Sequence, residues 1–185
     1  ETRLSELGDR ENPFDDNRRI RLFSLFGIKY VLYFDDQNLE FKDVNKFPEN
    51  LFKPIWRHDN WNALEYTKAF PRALLTSKIH IQNNPQKIAD LLFDKNFDLS
   101  SNIVLEEKPS ELLTSTKNQI DLQKASVDSE VKITQYEPLK IEIKTKTDKP
   151  QILFLSDNYY PGWKAYVDNK ETKIYRANYT FRSIY

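Results

Sequence analysis

Residues 139–147 read LKIEIKTKT, an uninterrupted alternation that sets Leu139, Ile141, Ile143 and Thr145 on one side of an extended chain and Lys140, Glu142, Lys144 and Lys146 on the other. One side is expected to meet a core and the other water. Reading outward, QILFL at 151–155 is a more continuously apolar strand, and NYYPGWK at 158–164 breaks it at Pro161-Gly162, a pair suited to a type II turn with glycine at positive φ. WKAYVDNKETKIYR, 163–176, reads as a hairpin turning at Asp168-Asn169, two residue types that accept the left-handed conformation. YTFRSIY, 179–185, alternates again. An antiparallel β-sandwich, jelly-roll-like, is the economical way to bury these inner faces.

Upstream the pattern changes. Ile20, Phe23 and Phe26 fall three apart, the spacing of one helical face, with Asp15 or Asp16 placed to cap the helix and Gly27 to end it as the C′ residue. IKYVLYF, 28–34, reads as a buried strand. Shorter strands are expected at Ile55 to Arg57 and Ala63 to Tyr66, and ALLTSKIHI, 73–81, as one strand after Pro71. Asn84 and Pro85 form an N-cap and N1 pair for a helix that turns Ile88, Leu91 and Leu92 inward, and a strand at Asn102 to Glu106 follows. The fold class is therefore α+β: a mixed α/β part over 1–108, a polar connector or long loop over 109–130, and the β-sandwich over 131–185.

Composition narrows the chemistry. Across 185 residues, 28 basic side chains balance 28 acidic ones, so no single-sign field draws in nucleic acid, which is not expected as a partner. The chain has no Cys, which excludes thiolate zinc sites and thiol nucleophiles, and its three glycines, Gly8, Gly27 and Gly162, are too scattered for a phosphate-cradling loop. No cofactor is expected. It also has no Met, even at position 1, so it reads as a piece of a longer protein. No apolar run reaches the ~20 residues of a spanning helix, and the first ten residues lack the apolar stretch of a signal peptide.

The run LFLSDNYYPGWKAYVDNKETKIYRANYTFRSIY, 153–185, resembles the C-terminal extracytoplasmic region of the YfhO family of bacterial polytopic membrane proteins. LFGIKYVL at 25–32 and WNALEYTKAFPRALL at 61–75 look like the earlier signature of that region, in the expected order. The most specific part is the Tyr160-Pro161-Gly162-Trp163 turn with the Val167-Asp168 hairpin after it. Members look like C-type membrane glycosyltransferases using a polyprenyl-linked sugar to decorate cell-wall polymers. The resemblance implies a noncatalytic domain on the extracytoplasmic face, partnered by the transmembrane portion of the parent chain and by a cell-wall polymer or glycan, with the catalytic carboxylate in a loop outside this segment. Two departures stand out: Asn169 occupies a position where Gly is usual, and the sequence stops at Tyr185, before the strand that normally follows. A sandwich lacking that edge strand would expose unpaired backbone groups.

Local candidates for chemistry each have a plainer reading. Asp157, Asn158, Tyr159 and Trp163 would form a carbohydrate platform, an aromatic face for a pyranose with carboxylate and amide groups for its hydroxyls; the plainer reading is a turn with Trp163 filling the core and Asp157 bonding local backbone. Neighbouring pairs Asp15-Asp16 and Asp35-Asp36 suit caps and loops better than acid/base work, because adjacent strand residues face opposite ways. His58 and His80 are too far apart in sequence to imply a metal, and none is expected. Arg18, Arg19 and Arg21 fit either a lipid-facing helix or a solvated one, and Asn178-Tyr179-Thr180 matches the glycosylation acceptor pattern inside an expected strand. A free-standing carbohydrate-binding module is the alternative function. A soluble hydrolase is disfavoured, because no convergent acid, base or nucleophile is legible.

Overall fold

The computed structural model describes residues 14, 17–35, 47–123 and 128–185. The chain is mostly β, with two α-helices among the described residues, and it divides into two compact units, 1–70 and 71–185. The division falls between Phe70 and Pro71.

In the N-terminal unit, α1 (Asn17–Leu25) precedes β1 (Tyr30–Phe34), β2 (Phe52–His58) and β3 (Trp61–Tyr66). Gly27 ends α1 as expected. At φ 61° it lets its own N–H reach the Ser24 carbonyl at 3.1 Å and the Ile28 N–H reach that of Phe23 at 3.0 Å, which satisfies two terminal carbonyls. The capping role given to Asp15 or Asp16, like Asp36 of the second pair, lies outside the described residues. The three strands form an antiparallel sheet in the order β1-β3-β2. One face packs Phe52, Leu64 and Tyr66 against Phe14 and against Ile20 and Phe23 of α1. Phe26, expected on that inward face, is 43% exposed, because it follows the last turn of the helix. Burial lifts the Tyr66 phenol above its ordinary pKa, partly offset by its hydrogen bond with Ser24 Oγ at 3.0 Å. The strand read as buried, β1, is instead half-covered: Tyr30, Leu32 and Phe34 are exposed while Val31 and Tyr33 are partly buried.

In the C-terminal unit the elements are β4 (Ala73–Thr76), β5 (Lys78–Ile81), α2 (Pro85–Phe93), β6 (Asn102–Leu105), β7 (Gln119–Asp121), β8 (Glu130–Glu137), β9 (Lys140–Lys146), β10 (Ile152–Asn158), β11 (Ala165–Val167), β12 (Lys170–Thr172), β13 (Tyr175–Ala177) and β14 (Phe181–Ile184). ALLTSKIHI is two strands, not one, because the chain leaves β4 and re-enters the same sheet at β5, separated from it by four strands. The seven-stranded order is β4-β10-β14-β13-β6-β5-β7. Among the described strands only β5 and β6 pair in parallel, as a strand-helix-strand unit through α2 permits. Asn84 caps α2 by accepting from the Lys87 N–H at 3.1 Å, and Ile88 and Leu92 are buried. After α2, Asp98 accepts from the Ser100 and Ser101 hydroxyls at 2.6 and 2.5 Å, and these bonds hold its carboxyl below the usual range.

The hairpins β8–β9 and β11–β12 form separate two-stranded sheets. The second turns at Asp168 and Asn169, with φ 48° and 65°. In the first, Ile141 and Ile143 are half-buried, but Leu139, expected on the core side, is 92% exposed because it sits in the tight turn. Strands expected in the first domain thus share a sheet with strands expected in the sandwich: β10 pairs with β4, and β13 with β6.

Candidate functional site

Four residues singled out in the sequence lie at the end of β10 and the turn after it. The pairing of β10 with β14 slips there: Leu155 faces Arg182 and Asn158 faces Phe181, which leaves Ser156 and Asp157 as the extra residues of a bulge. The bulge turns the Asp157 carboxylate onto Arg182, whose Nη2 donates to Asp157 Oδ2. Arg182 is 6% exposed, and its Nε has no hydrogen-bond partner. Its guanidinium lies 4.2 Å from the centre of the Trp163 ring. Trp163 thus caps a buried cation rather than filling an apolar core, an arrangement that favours charge over the π-face.

A second arginine joins from the other side. Tyr136 of β8 donates its hydroxyl to Asp157 Oδ2 at 3.3 Å, and Arg72 Nη1 donates to that phenol oxygen and to the Ser156 carbonyl, each at 3.3 Å. The structure brings Asp157 and Trp163 together through Arg182. Asn158 and Tyr159 take separate roles: the Asn158 N–H bonds Asp157 Oδ1 at 3.0 Å, and the Tyr159 N–H reaches the Thr180 carbonyl at 2.6 Å while its ring sits under Arg176. Reading the sequence missed Arg182, Tyr136 and Arg72. An arginine inside an alternating strand, downstream of both a Trp and an Asp, was the available signal for the first.

The Pro161-Gly162 turn closes through a Trp163 N–H to Tyr160 carbonyl bond at 3.1 Å, but Gly162 is not at positive φ, so the type II assignment does not hold. Positive φ is used instead at Asn178 and Tyr179, 44° and 76°, between β13 and β14. There the Asn178 side chain accepts from the Val104 N–H at 2.8 Å and is 5% exposed, which leaves it unable to accept a glycan. Chemically, two cations, one carboxylate and a phenol can bind and brace, but they hold no second carboxylate for acid/base work and no activated nucleophile. Among the described residues no three His, Cys, Asp or Glu converge. His80 Nε2 is bonded to Asn102 Oδ1 at 3.0 Å, and His58 Nδ1 pairs with Asp59 at 3.2 Å.

Residues 113–184 match the family model described as Bacterial membrane protein YfhO. This stretch is a YfhO-family region. It contains β7 to β14 and with them Asp157, Trp163, Arg182 and Tyr136, whereas Arg72 and the earlier signatures at 25–32 and 61–75 lie outside it. No curated protein and no solved structure matches the chain. The YfhO-family match supplies a membrane-protein context, and no helix among the described residues is long and apolar enough to cross a membrane.

Proposed function

We propose that the chain is a noncatalytic extracytoplasmic domain of a polytopic membrane protein resembling lipid-linked-sugar glycosyltransferases of cell-wall polymers, where it supports the membrane portion or positions an acceptor. The observation that carries this reading is the YfhO-family region folded around a braced Arg182-Asp157 pair, with no legible catalytic set among the described residues. The C-terminal unit is read as a curled, sandwich-like scaffold, with the β8–β9 hairpin running beside β4. Its test uses the absence of Cys from this segment: Leu139→Cys, in a parent protein whose cysteines elsewhere have been replaced, adds one reactive thiol at a fully accessible turn. Labelling by a membrane-impermeant maleimide is expected to be as strong in intact cells as after permeabilisation. Labelling that requires permeabilisation would put the domain on the cytoplasmic side and end the proposal.

A second reading keeps the Asp157, Asn158, Tyr159 and Trp163 turn as a glycan contact. It is favoured by the partial exposure of Trp163 and by Tyr160 beside it, 69% exposed, although Arg182 covers one face of the indole. Titration with cell-wall glycans is expected to change Trp163 emission saturably, and Trp163→Ala is expected to abolish binding; binding unchanged in that variant removes the reading.

A further inference from the structure

The register of the N-terminal sheet sorts its side chains into two faces. Val31, Tyr33, Phe52, Leu64 and Tyr66 pack into the core. On the opposite face, Phe34 stands across from Trp61 and Trp61 from His58, Leu32 from Ala63 and Ala63 from Trp56, and Tyr30 from Glu65 and Glu65 from Lys53. Leu32 is 61% exposed and Phe34 56%, Trp56 51% and Trp61 45%. Isolated exposed apolar side chains are ordinary, but a continuous row across three strands is a patch that marks an interaction surface. The exposed rings pack on one another: Phe34 lies edge-on to Trp61 at 5.3 Å, and Trp56 is stacked with His58 at 6.0 Å.

We propose that this open face docks on the interfacial region of a lipid bilayer, with Trp56, Trp61, Leu32 and Phe34 entering the boundary between headgroups and acyl chains. Two observations select that occupant. The side-chain set joins Trp and Tyr, which favour the membrane–water boundary, to aliphatic and phenyl groups. Charge is confined to the margins: at one end Lys29 pairs with Glu65 at 3.5 Å while Lys53 faces Glu65 from β2, leaving lysines in excess toward anionic phosphates, and at the other end are His58 and Asp59. The chain also carries a region of a bacterial membrane protein family, so a bilayer adjoins its parent. Arg18, Arg19 and Arg21, the lipid-facing candidates from the sequence, belong to α1, which packs on the other side of this sheet. Of the proposed function the inference uses only the family match over 113–184, so its failure would leave the extracytoplasmic, noncatalytic reading standing.

The test uses the 185-residue chain carrying Trp163→Phe, in which Trp56 and Trp61 are the remaining indoles. With vesicles of phosphatidylethanolamine and phosphatidylglycerol the protein is expected to float, its emission to shift to the blue, and bromine placed near the headgroup end of the acyl chains to quench it. Trp56→Ser with Trp61→Ser is expected to lower partitioning by at least about tenfold, given the apolar area two indoles would bury. Leu32→Ser should lower it independently, and circular dichroism establishes that each variant stays folded. Absence of flotation, absence of lipid quenching, or equal partitioning of the folded variants overturns the proposal. So does a concentration-dependent dimer that these substitutions abolish, because a second copy would then be the occupant.

Discussion

Asp157→Ala is expected to cost the C-terminal unit about 3 kcal/mol, read from urea unfolding in a Trp56→Phe/Trp61→Phe background where Trp163 is the reporter. The size follows from an asymmetry of burial. The Arg182 side chain is 7% exposed and that of Asp157 29%, so removing the carboxylate strands a desolvated guanidinium, whereas removing the arginine leaves a carboxylate that reaches water and still accepts from Tyr136. Arg182→Met is therefore expected to cost clearly less than Asp157→Ala, and the double variant less than the sum of the two. An exposed pair makes the contrast: Lys173 and Glu107, 2.6 Å apart and each more than half exposed, should lose no more than about 0.5 kcal/mol on Glu107→Ala. The Asp157 loss should persist at high salt, while any effect at Glu107 fades. If Arg182→Met proves the costlier change, the arginine is not the group that needs compensation, and the clamp as described is wrong.

What the sequence could reveal here was local. The Asn84-Pro85 start of α2, the Gly27 stop of α1 and the Asp168-Asn169 hairpin each depend on one or two residues whose backbone preferences act within a single turn. Pairing across the chain has no such local marker. Nothing in Ala73 to Thr76 states that β10, nearly eighty residues on, will lie beside it, and so the strand order of the sheet could not be drawn from residue order. Continuous apolarity misled for a related reason: IKYVLYF looks the same whether both faces of the strand are covered or only one, and only the β1 to β3 register shows Tyr30, Leu32 and Phe34 uncovered. At the site, Asp157 and Trp163 stood out as turn residues. Their common partner Arg182 did not, because a bulge, which alternation does not encode, is what swings Asp157 toward it.

Phe52→Ala should be the severest single change in the N-terminal unit, with a loss of about 4 kcal/mol. Phe52 is 1% exposed, and its ring centre lies 4.7 to 6.1 Å from those of Phe14, Phe23, Phe47 and Tyr66. One truncation thus removes one of the two rings, with Tyr66, that join Phe23 of α1 to the sheet and leaves a cavity walled by stiff aromatics, which collapse poorly around it. A unit of 1–70 has a small core, so a loss of that size takes most of its stability. Leu32→Ala on the opposite face of the same sheet should stay within about 0.5 kcal/mol, since that side chain is largely exposed. Both changes can be followed through Trp56 and Trp61 in a Trp163→Phe background. Similar losses at Phe52 and Leu32 would mean that both faces of the sheet are covered in solution, which would remove the free surface that a bilayer, or any other occupant, requires.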